Sequence, residues 1–439
     1  MEKEVSTIKI LAVVLGVFTV CTLALGFVLV ASNGHPERLF GEPAETERVP
    51  QSFAGKRAGA TESTDAHGVV HGKTAAGVKY LIYGRTEVAR SGEGIRLAAT
   101  GDVLATEMNM PLLDAYSGET DDGVYDFGPY YQEIAPALAD YDICFVNQET
   151  AMAGNTDGFS YSVYPLFNSP ESSIQAMSDT GFNVVNFNSN HTYDMGAEGI
   201  ERSQGFFSQY PKMMVVGSYA SQADRETVRM IQRGDMTIAF LSYCYGSNMY
   251  GDTPDVQPNN YYACIFDKKA MSVDIARAQS VADAVVVYMH WGTEEQTEPD
   301  KRQLEYAQFL VDLDVDLVLG SHAHLCQTVK NYTSPTGKTV PVVFGMSDLI
   351  SGWTLTETIF SGLVTCDFVR KGDDVVVENL VWHPLVEWSD GGDVYVRMLE
   401  HMDDAAIQKN TRTEDIVDDV AFFREKLESL DMDCTISWK

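Results

Sequence analysis

Short apolar runs alternate with longer segments of helical periodicity along the chain from Ile95 onward. Runs of this kind, bounded by turn residues, are typical of buried strands. The clearest of them are Leu97–Thr100, Ile143–Val146, Val184–Phe187, Val285–Met289 and Asp316–Leu319. Between the last two, Lys301–Leu313 repeats apolar residues at helical spacing. Strands that alternate with helices predict an α/β sandwich with mostly buried sheets.

The C-terminal part of the chain changes pattern after Gly372. The segment DDVVVENLVWHPLVEW indicates late strands, and Glu414–Leu430 places apolar residues on one helical face. We therefore predict that the sandwich domain covers residues 95–385. A helical extension is expected over residues 386–439.

The N-terminal part begins with an uncharged apolar run, Ile10–Ala31, which follows Lys3 and Lys9. Its length matches the roughly 20 residues that span a bilayer. A cleaved signal has a shorter apolar region of about 7–15 residues. We therefore expect a transmembrane helix at 10–31 and a cytoplasmic tail at 1–9. This predicts a single-pass protein of the cell membrane whose bulk is extracytoplasmic.

The segment that follows, residues 32–94, is rich in Gly, Ala, Thr, Ser, Glu and Pro. This composition predicts a flexible spacer that lifts the domain off the membrane. Val78–Tyr83 is expected to form a short strand within it.

The net charge of −32, from 31 basic and 63 acidic residues, argues against a nucleic-acid partner. Phosphate backbones need Lys and Arg to displace their counterions. An acidic surface is also a common means of staying soluble. The seven cysteines are scattered without a C-x-x-C pair, which favours buried free thiols over disulfides.

Five polar motifs follow the predicted strands at their carboxyl ends, where ligands gather in such folds. They are GDVLATE (Gly101–Glu107), NQET (Asn147–Thr150), FNSNHTYDMG (Phe187–Gly196), MHWGTEE (Met289–Glu295) and GSHAHLCQ (Gly320–Gln327). Each polar residue in them would be ordinary by itself. Four histidines at successive strand ends are difficult to explain by packing. Together the motifs supply Asp102, Glu149, Asn190, His191, His290, His322 and His324.

Carboxylates, imidazoles and an amide oxygen form a mixed ligand set that suits a divalent transition metal, namely Mn, Zn, Fe or Co. Two such ions about 3.5–4 Å apart can clamp a phosphoryl group. In this arrangement Asn190 would bind metal, and His191 would meet the substrate as an acid or as a stabiliser of the transition state. Trp291 follows His290 and is expected to line the pocket rather than to pack in the core.

These motifs resemble those of the CapA family, the poly-γ-glutamate capsule biosynthesis proteins, which are similar to calcineurin-like metallophosphoesterases. The resemblance covers roughly Ile95–Pro384 and includes G-D, N-x-E, N-x-N-H-x-x-D-x-G, H-W-G-x-E and G-x-H-x-H-x-x-Q in this order. It implies that Asp102 and His324 hold one metal and that Glu149 bridges two. It also implies that Asn190, His290 and His322 hold the second metal. His191 would be the catalytic histidine, oriented by Asp194.

The sequence departs from these patterns at two places that matter for the metal site. Metallophosphoesterases usually have D-x-H in the first motif, whereas Leu104 stands two residues after Asp102. The first metal would therefore lack a ligand unless Glu107 or water replaced it, so one or two ions are expected. The bridging acid is Glu149 rather than the Asp of a G-D-x-x-D motif. Separately from the metal site, the family's S-x-G-N-F segment is FGMSDLISG here, and Asp348 in place of the Asn alters what this segment would contribute to substrate binding.

The favoured function is metal-dependent hydrolysis, of a phosphoester or within an anionic polymer, in capsule or cell-envelope polymer synthesis or export. One alternative is a non-catalytic polymer-handling subunit that retains a structural or binding metal. Another is a metal-dependent amide hydrolase that acts on the polymer. The expected partners are the membrane and other capsule-synthesis membrane proteins.

Overall fold

A computed structural model describes residues 56–86, 94–120, 122–252, 257, 259–353, 357–389 and 391–438. The predicted tail and the predicted anchor at 10–31 lie outside these ranges. Among the residues within them, no helix has both the length and the apolar character needed to cross a bilayer.

Between Ile95 and Ser321 of the described chain, strands and helices alternate largely as the apolar pattern predicts. The strands are β1 (Thr61–Thr64), β2 (Val70–Lys73), β3 (Lys79–Thr86), β4 (Ile95–Val103), β5 (Ile143–Gln148), β6 (Val184–Asn186), β7 (Met214–Val216), β8 (Val228–Arg233), β9 (Met236–Cys244), β10 (Ala284–His290), β11 (Leu317–Ser321), β12 (Val329–Thr333), β13 (Thr339–Val343), β14 (Asp348–Ile350), β15 (Phe360–Lys371), β16 (Asp374–Ser389), β17 (Val394–Met398) and β18 (Thr435–Ile436). The helices are α1 (Met110–Tyr116), α2 (Gly128–Tyr131), α3 (Ala135–Leu138), α4 (Ser172–Thr180), α5 (Gly196–Phe207), α6 (Gln222–Arg225), α7 (Lys268–Gln279), α8 (Lys301–Asp312), α9 (Asp404–Ile407) and α10 (Ile416–Ser429), with a 3₁₀ turn at Leu399–His401.

These strands form two mixed sheets in the described part of the chain. One sheet has the order β1-β2-β3-β8-β9-β10-β11-β13-β12. The other has the order β17-β16-β15-β4-β5-β6-β7, with β14 added beside β4 and β18 beside β16. Within each sheet a parallel centre carries the site motifs, β4-β5-β6-β7 in one and β9-β10-β11-β13 in the other.

The two sheets pack face to face, and helices cover their outer faces. Phe145 of β5 contacts Phe240 of β9 and Tyr288 of β10 across the interface, with ring centroids 6.3 and 5.2 Å apart. The outer face of the β4 sheet packs against α1, α2, α4 and α5. The outer face of the β10 sheet packs against α7 and α8. The predicted α/β sandwich is therefore present, with layers of helix, sheet, sheet and helix.

Two segments contain strands that the sequence did not predict. Residues 32–94 were expected to be a flexible spacer with one short strand at Val78–Tyr83. β3 confirms that strand, but β1 to β3 also join the first sheet through pairing of β3 with β8. Tyr80 and Ile82 are buried there, which explains why the segment folds onto the sheet. The expected helical extension at 386–439 contains α10, but β17 and β18 also pair with β16. Composition alone did not reveal these pairings, because both depend on strands distant in sequence.

Candidate metal centre

The site lies where the carboxyl ends of parallel strands from both sheets meet. Asp102 is close to the end of β4, and His290 is the last residue of β10. The other predicted residues come shortly after strands: Glu149 after β5, Asn190 and His191 after β6, and His322 and His324 after β11. All of these side chains are buried. The structure therefore brings the predicted residues together at one edge of the sandwich.

Hydrogen bonds hold the Asp102 carboxylate in place from three sides. Oδ1 accepts Nδ2–H of Asn147 at 2.6 Å and the Tyr288 hydroxyl at 3.3 Å. Oδ2 accepts the backbone N–H of His322 at 3.1 Å. Asn147 and Tyr288 were not predicted, and their role is to fix the direction of this carboxylate.

Glu149 is fully buried, and neither of its carboxylate oxygens has a hydrogen-bond partner among the described residues. Oε1 lies 3.7 Å from Nε2 of His290. One ligand atom from each of Glu149, His322 and His324 fits within a group whose members are all within 4.8 Å of one another. A buried charged group without a partner is costly, so this arrangement fits a cation.

Asn190 and His290 meet on the other side of Glu149. Oδ1 of Asn190 lies 2.8 Å from Nε2 of His290. The ring centroids of His290 and His322 are 4.7 Å apart. An amide oxygen, two imidazoles and a carboxylate therefore converge, and this donor set suits a transition metal.

The segment that carries His322 and His324 has an unusual backbone. His322 has φ of 104° and His324 has φ of 57°, a region that residues other than glycine rarely occupy. Such strain persists where the surrounding structure imposes it, and it clusters at functional sites. Gly320 precedes them, and a Cβ there would lie 2.4 Å from the Phe344 carbonyl oxygen. Only glycine therefore allows the end of β11 to approach the Phe344 backbone so closely.

The pKa values of the three buried carboxyl groups at the site indicate that it needs additional positive charge. Burial raises the pKa of Asp102, and the nearby Asp348 carboxylate raises it further. Burial likewise raises the pKa of Glu149 well above its usual value, with Asp102 adding to the effect. Burial also raises the pKa of Asp348. The His324 ring offsets the repulsion among these carboxylates only in part, and a divalent ion would remove the rest.

The histidines divide into two kinds. Burial lowers the pKa of His290 and His322 well below the ordinary value, and neighbouring imidazoles lower it further. Burial also acts to lower the pKa of His324, but the Asp348 and Glu149 carboxylates outweigh it and raise that pKa to about 10. His290 and His322 are thus neutral, as metal ligation requires, whereas His324 must lose a proton to bind a metal.

His191 lies beside this cluster and is held by Asp194. Nδ1 of the ring lies 2.6 Å from Oδ2 of Asp194, and Phe167 packs edge-on against the ring with centroids 4.7 Å apart. Nε2 is 3.4 Å from Nδ2 of Asn248. The ring therefore has a fixed orientation, with Nδ1 towards Asp194.

Asp348 is the residue at this centre that sequence reasoning did not assign to it. Its carboxylate lies 2.8 Å from Nδ1 of His324, measured from Oδ1, and its ligand atoms group with those of Asp102 and His324 within 4.8 Å. The available signal was its place in a motif where the family has Asn, and it is the first residue of β14.

The prediction that Trp291 lines the pocket is wrong. Its ring stacks on Phe344 in the core, and its Nε1 donates to the Phe344 carbonyl at 2.8 Å. Trp353 contacts the site instead, with its ring edge-on to His324 and centroids 4.8 Å apart. Tyr245 packs against His322 on the other side, with centroids 4.6 Å apart.

A family model, described as bacterial capsule synthesis protein PGA_cap, matches residues 96–353. The chain belongs to this family. The part that matches PGA_cap contains every predicted metal ligand, together with His191, Asp194 and Asp348.

Two curated proteins are similar to this PGA_cap member. The PGA biosynthesis protein CapA of Bacillus subtilis (strain 168) is 27% identical over 204 residues, which cover 46% of this chain and 50% of that protein. The capsule biosynthesis protein CapA of Bacillus anthracis is 25% identical over 193 residues, which cover 43% of this chain and 45% of that protein. The chain thus spans about half the length of the curated relatives it matches.

Among solved structures, a candidate 5′-nucleotidase from Staphylococcus aureus in complex with α-ketoglutarate is 14% identical with a TM-score of 0.40, covering 76% of this chain and 58% of that chain. A protein from Thermus thermophilus is 12% identical with a TM-score of 0.34, covering 65% of this chain and 98% of that chain. Both scores are too low to assign a fold or an activity.

Proposed function

We propose that the chain is a metal-dependent phosphoester hydrolase of the cell envelope that acts in the synthesis or export of a capsule polymer such as poly-γ-glutamate. The observation that carries the proposal is the fully buried Glu149 carboxylate, which has no hydrogen-bond partner among the described residues and lies among imidazoles and carboxylates. Such a group is stabilised by a divalent cation and by little else in a protein interior.

Two adjoining positions would each hold an ion. Glu149 would bridge them, with Asp102 and His324 on one side and Asn190, His290 and His322 on the other. When bound, such ions supply Lewis-acid stabilisation of a phosphoryl group and lower the pKa of a coordinated water. The chain supplies the buried, water-poor surroundings that strengthen these electrostatic effects.

His191 would protonate the leaving oxygen. Because Nδ1 faces Asp194, Nε2 is the nitrogen available to carry a proton towards substrate. Asn248 lies near Nε2 and would help to position the leaving group. In this arrangement proton transfer is assigned to His191, and metal binding is assigned to the other side chains of the site.

The capsule role follows from membership of the PGA_cap family and from the names of the curated relatives. We propose that residues 10–31 anchor the chain in the membrane and that the catalytic domain lies outside the cytoplasm. The net charge of −32 opposes the approach of an anionic polymer. The bound metals, or a basic partner among the capsule-synthesis membrane proteins, would neutralise that repulsion.

The test is the metal content of the full chain, purified in detergent without chelator. Wild type is expected to hold about two transition-metal equivalents and His322→Ala fewer. His401→Ala is the matched control, because the His401 side chain is 62% exposed and lies outside the ligand groups. Metal-loaded protein should then hydrolyse aryl phosphate monoesters or diesters, and chelation should end turnover.

Each of the other outcomes assigns a different function. Folded protein without metal would exclude a metallohydrolase. Bound metal without turnover of any phosphoester would favour a polymer-handling subunit. Cleavage of γ-linked glutamate oligomers, with phosphoesters untouched, would assign amide hydrolysis.

A further inference from the structure

The first metal position lacks a ligand in the sequence because Leu104 occupies the place where related enzymes carry histidine. Leu104 is buried, and its backbone N–H donates to the Ile350 carbonyl at 2.8 Å. This contact brings β14 beside β4. β14 begins with Asp348. It is therefore attached to β4 beside Leu104, where the usual histidine ligand of the first metal is missing.

We propose that Asp348 is a direct ligand of the ion held by Asp102 and His324, so that a carboxylate replaces the missing imidazole. This inference rests on the metal centre of the proposed function and extends it to a residue that the motif comparison left without a role. Two carboxylates and one imidazole would make this position richer in oxygen than the one formed by Asn190, His290 and His322. Oxygen-rich sites favour harder ions such as Mn²⁺.

The position of Asp348 is set by strand pairing rather than by a flexible loop. β14 and β4 are parallel, and Asp348 pairs with Asp102 in register. The Asp102 N–H donates to the Ser347 carbonyl at 3.1 Å, and Ser347 has φ of 63°. At Gly101 a Cβ would lie 1.7 Å from that same carbonyl oxygen, so the close approach requires glycine.

The second observation is an unused donor atom. Asp348 is 1% exposed, and Oδ2 has no hydrogen-bond partner among the described residues. Oδ1 lies 2.8 Å from Nδ1 of His324. One oxygen is therefore engaged in orienting His324, while the other remains available to a cation between Asp348 and Asp102.

The competing role is a purely positioning one. A carboxylate that accepts Nδ1–H of a histidine often serves only to orient that ring towards its metal. In that case Oδ2 would take no part in coordination. Direct ligation by Asp348 and mere orientation of His324 predict different metal binding when the charge or the donor atom of residue 348 is changed.

The first experiment compares the metal content of full-length wild type, Asp348→Asn and Asp194→Asn. Asp194→Asn is the matched control, since Asp194 also holds a histidine through Nδ1 but lies outside the ligand groups. We expect Asp348→Asn to lose about one equivalent under conditions where Asp194→Asn keeps two. Equal metal contents in all three proteins would overturn the proposal.

The second experiment detects coordination directly. Asp348→Cys, loaded with Co²⁺, should show a near-ultraviolet thiolate-to-cobalt charge-transfer band that wild type and Asp194→Cys lack. Absence of the band in a folded, cobalt-loaded protein would show that residue 348 only positions His324. If wild type itself bound no metal, the proposed function would fail before this question arose.

A separate measurement tests whether Asp348→Asn loses metal because it fails to fold. In the metal-free protein, Asp348→Asn relieves repulsion among the buried carboxylates but also removes the ion-pair partner of His324, so the folding of the variant is measured directly. A cooperative melt of chelated Asp348→Asn would show that the variant folds. Added Mn²⁺ should raise the Tm of wild type by more than that of the variant.

Discussion

Asp194 fixes the orientation of His191 through a 2.6 Å contact between Oδ2 and Nδ1 of the ring. The same oxygen accepts the backbone N–H of Phe167 at 2.8 Å, and Phe167 packs edge-on against the imidazole. Phe167 thus contacts both the Asp194 carboxylate, through its backbone N–H, and the His191 ring, through its own ring. The arrangement leaves Nε2 as the nitrogen that can exchange a proton with a substrate.

Replacement of His191 by Ala should lower kcat for phosphoester hydrolysis by about 10²- to 10⁴-fold, the usual contribution of a general acid. The metal content should not change. Since a good leaving group needs little protonation, the loss should be smaller for a nitrophenyl phosphate than for an alkyl phosphate. Steady-state kinetics on the two substrates measures this difference. An equal loss on both would assign His191 another role.

Asp194→Asn should lower kcat by a smaller factor and shift the acidic and basic limbs of the pH–rate profile, because Asn can present its amide N–H to Nδ1 and favour the other tautomer. A structural role would lower stability without moving the profile. Thermal melting beside the pH–rate measurement separates the two results.

Metal binding should release protons and strengthen as pH rises. The pKa of His324 in the metal-free protein is raised to about 10, so the ring carries a proton at neutral pH that an ion must displace. The raised pKa values of Asp102 and Glu149 act in the same direction. Titration calorimetry in two buffers of different ionisation enthalpy measures the released protons. Identical heats in both buffers would contradict the prediction.

Gly101→Ala should destabilise the fold by roughly 1–3 kcal/mol, the range for an overpacked core. The added methyl group would meet a backbone carbonyl, that of Ser347, which cannot move aside without separating β14 from β4. Gly205→Ala is the control: it lies within α5 with open space around it and should stabilise by about 0.5–1 kcal/mol. Urea unfolding of both variants measures the contrast.

Arg412→Ala should destabilise by about 3–5 kcal/mol, since it leaves the buried Glu387 carboxylate without its cation. The two side chains are 3.1 Å apart, and Glu387 also accepts the backbone N–H groups of Ser351 and Gly352. Lys268→Ala removes an exposed ion pair with Glu305 and should cost about 0–1 kcal/mol. The Arg412 variant should also bind metal more weakly, because the 351–353 segment carries Trp353 against His324. Unchanged stability would show that residues 386–439 do not support the site.

The candidate site was largely accessible from sequence because its residues follow strands whose apolar character is strong. The predicted run Val285–Met289 lies within β10, and the predicted helix Lys301–Leu313 corresponds to α8. Once strands and their order are recognised, polar residues at successive carboxyl ends must meet at one edge. This inference needs no knowledge of side-chain contacts, and it places His290 and His322 at one edge. Glu149 follows a strand of the other sheet and joins them because the two sheets pack face to face.

The positions of strand ends did not show which of Trp291 and Trp353 lines the pocket. Both lie close in sequence to candidate ligands, but neighbouring residues on an extended chain point to opposite faces. Trp291 therefore enters the core behind His290, whereas Trp353 reaches the site from a segment joined to the C-terminal part of the chain. Distance along the chain does not determine which aromatic ring lines a pocket.

The sequence by itself determined the alternation of strands and helices, the strand ends that carry the chemistry and the mixed oxygen and nitrogen character of the ligands. Only the tertiary structure decided that Asp348 lies beside Asp102 and that residues 61–86 add strands to a sheet. The physical reason is that apolar periodicity records how each segment is buried. It does not record which distant segment becomes its neighbour, because strand pairing is formed between residues far apart in the chain.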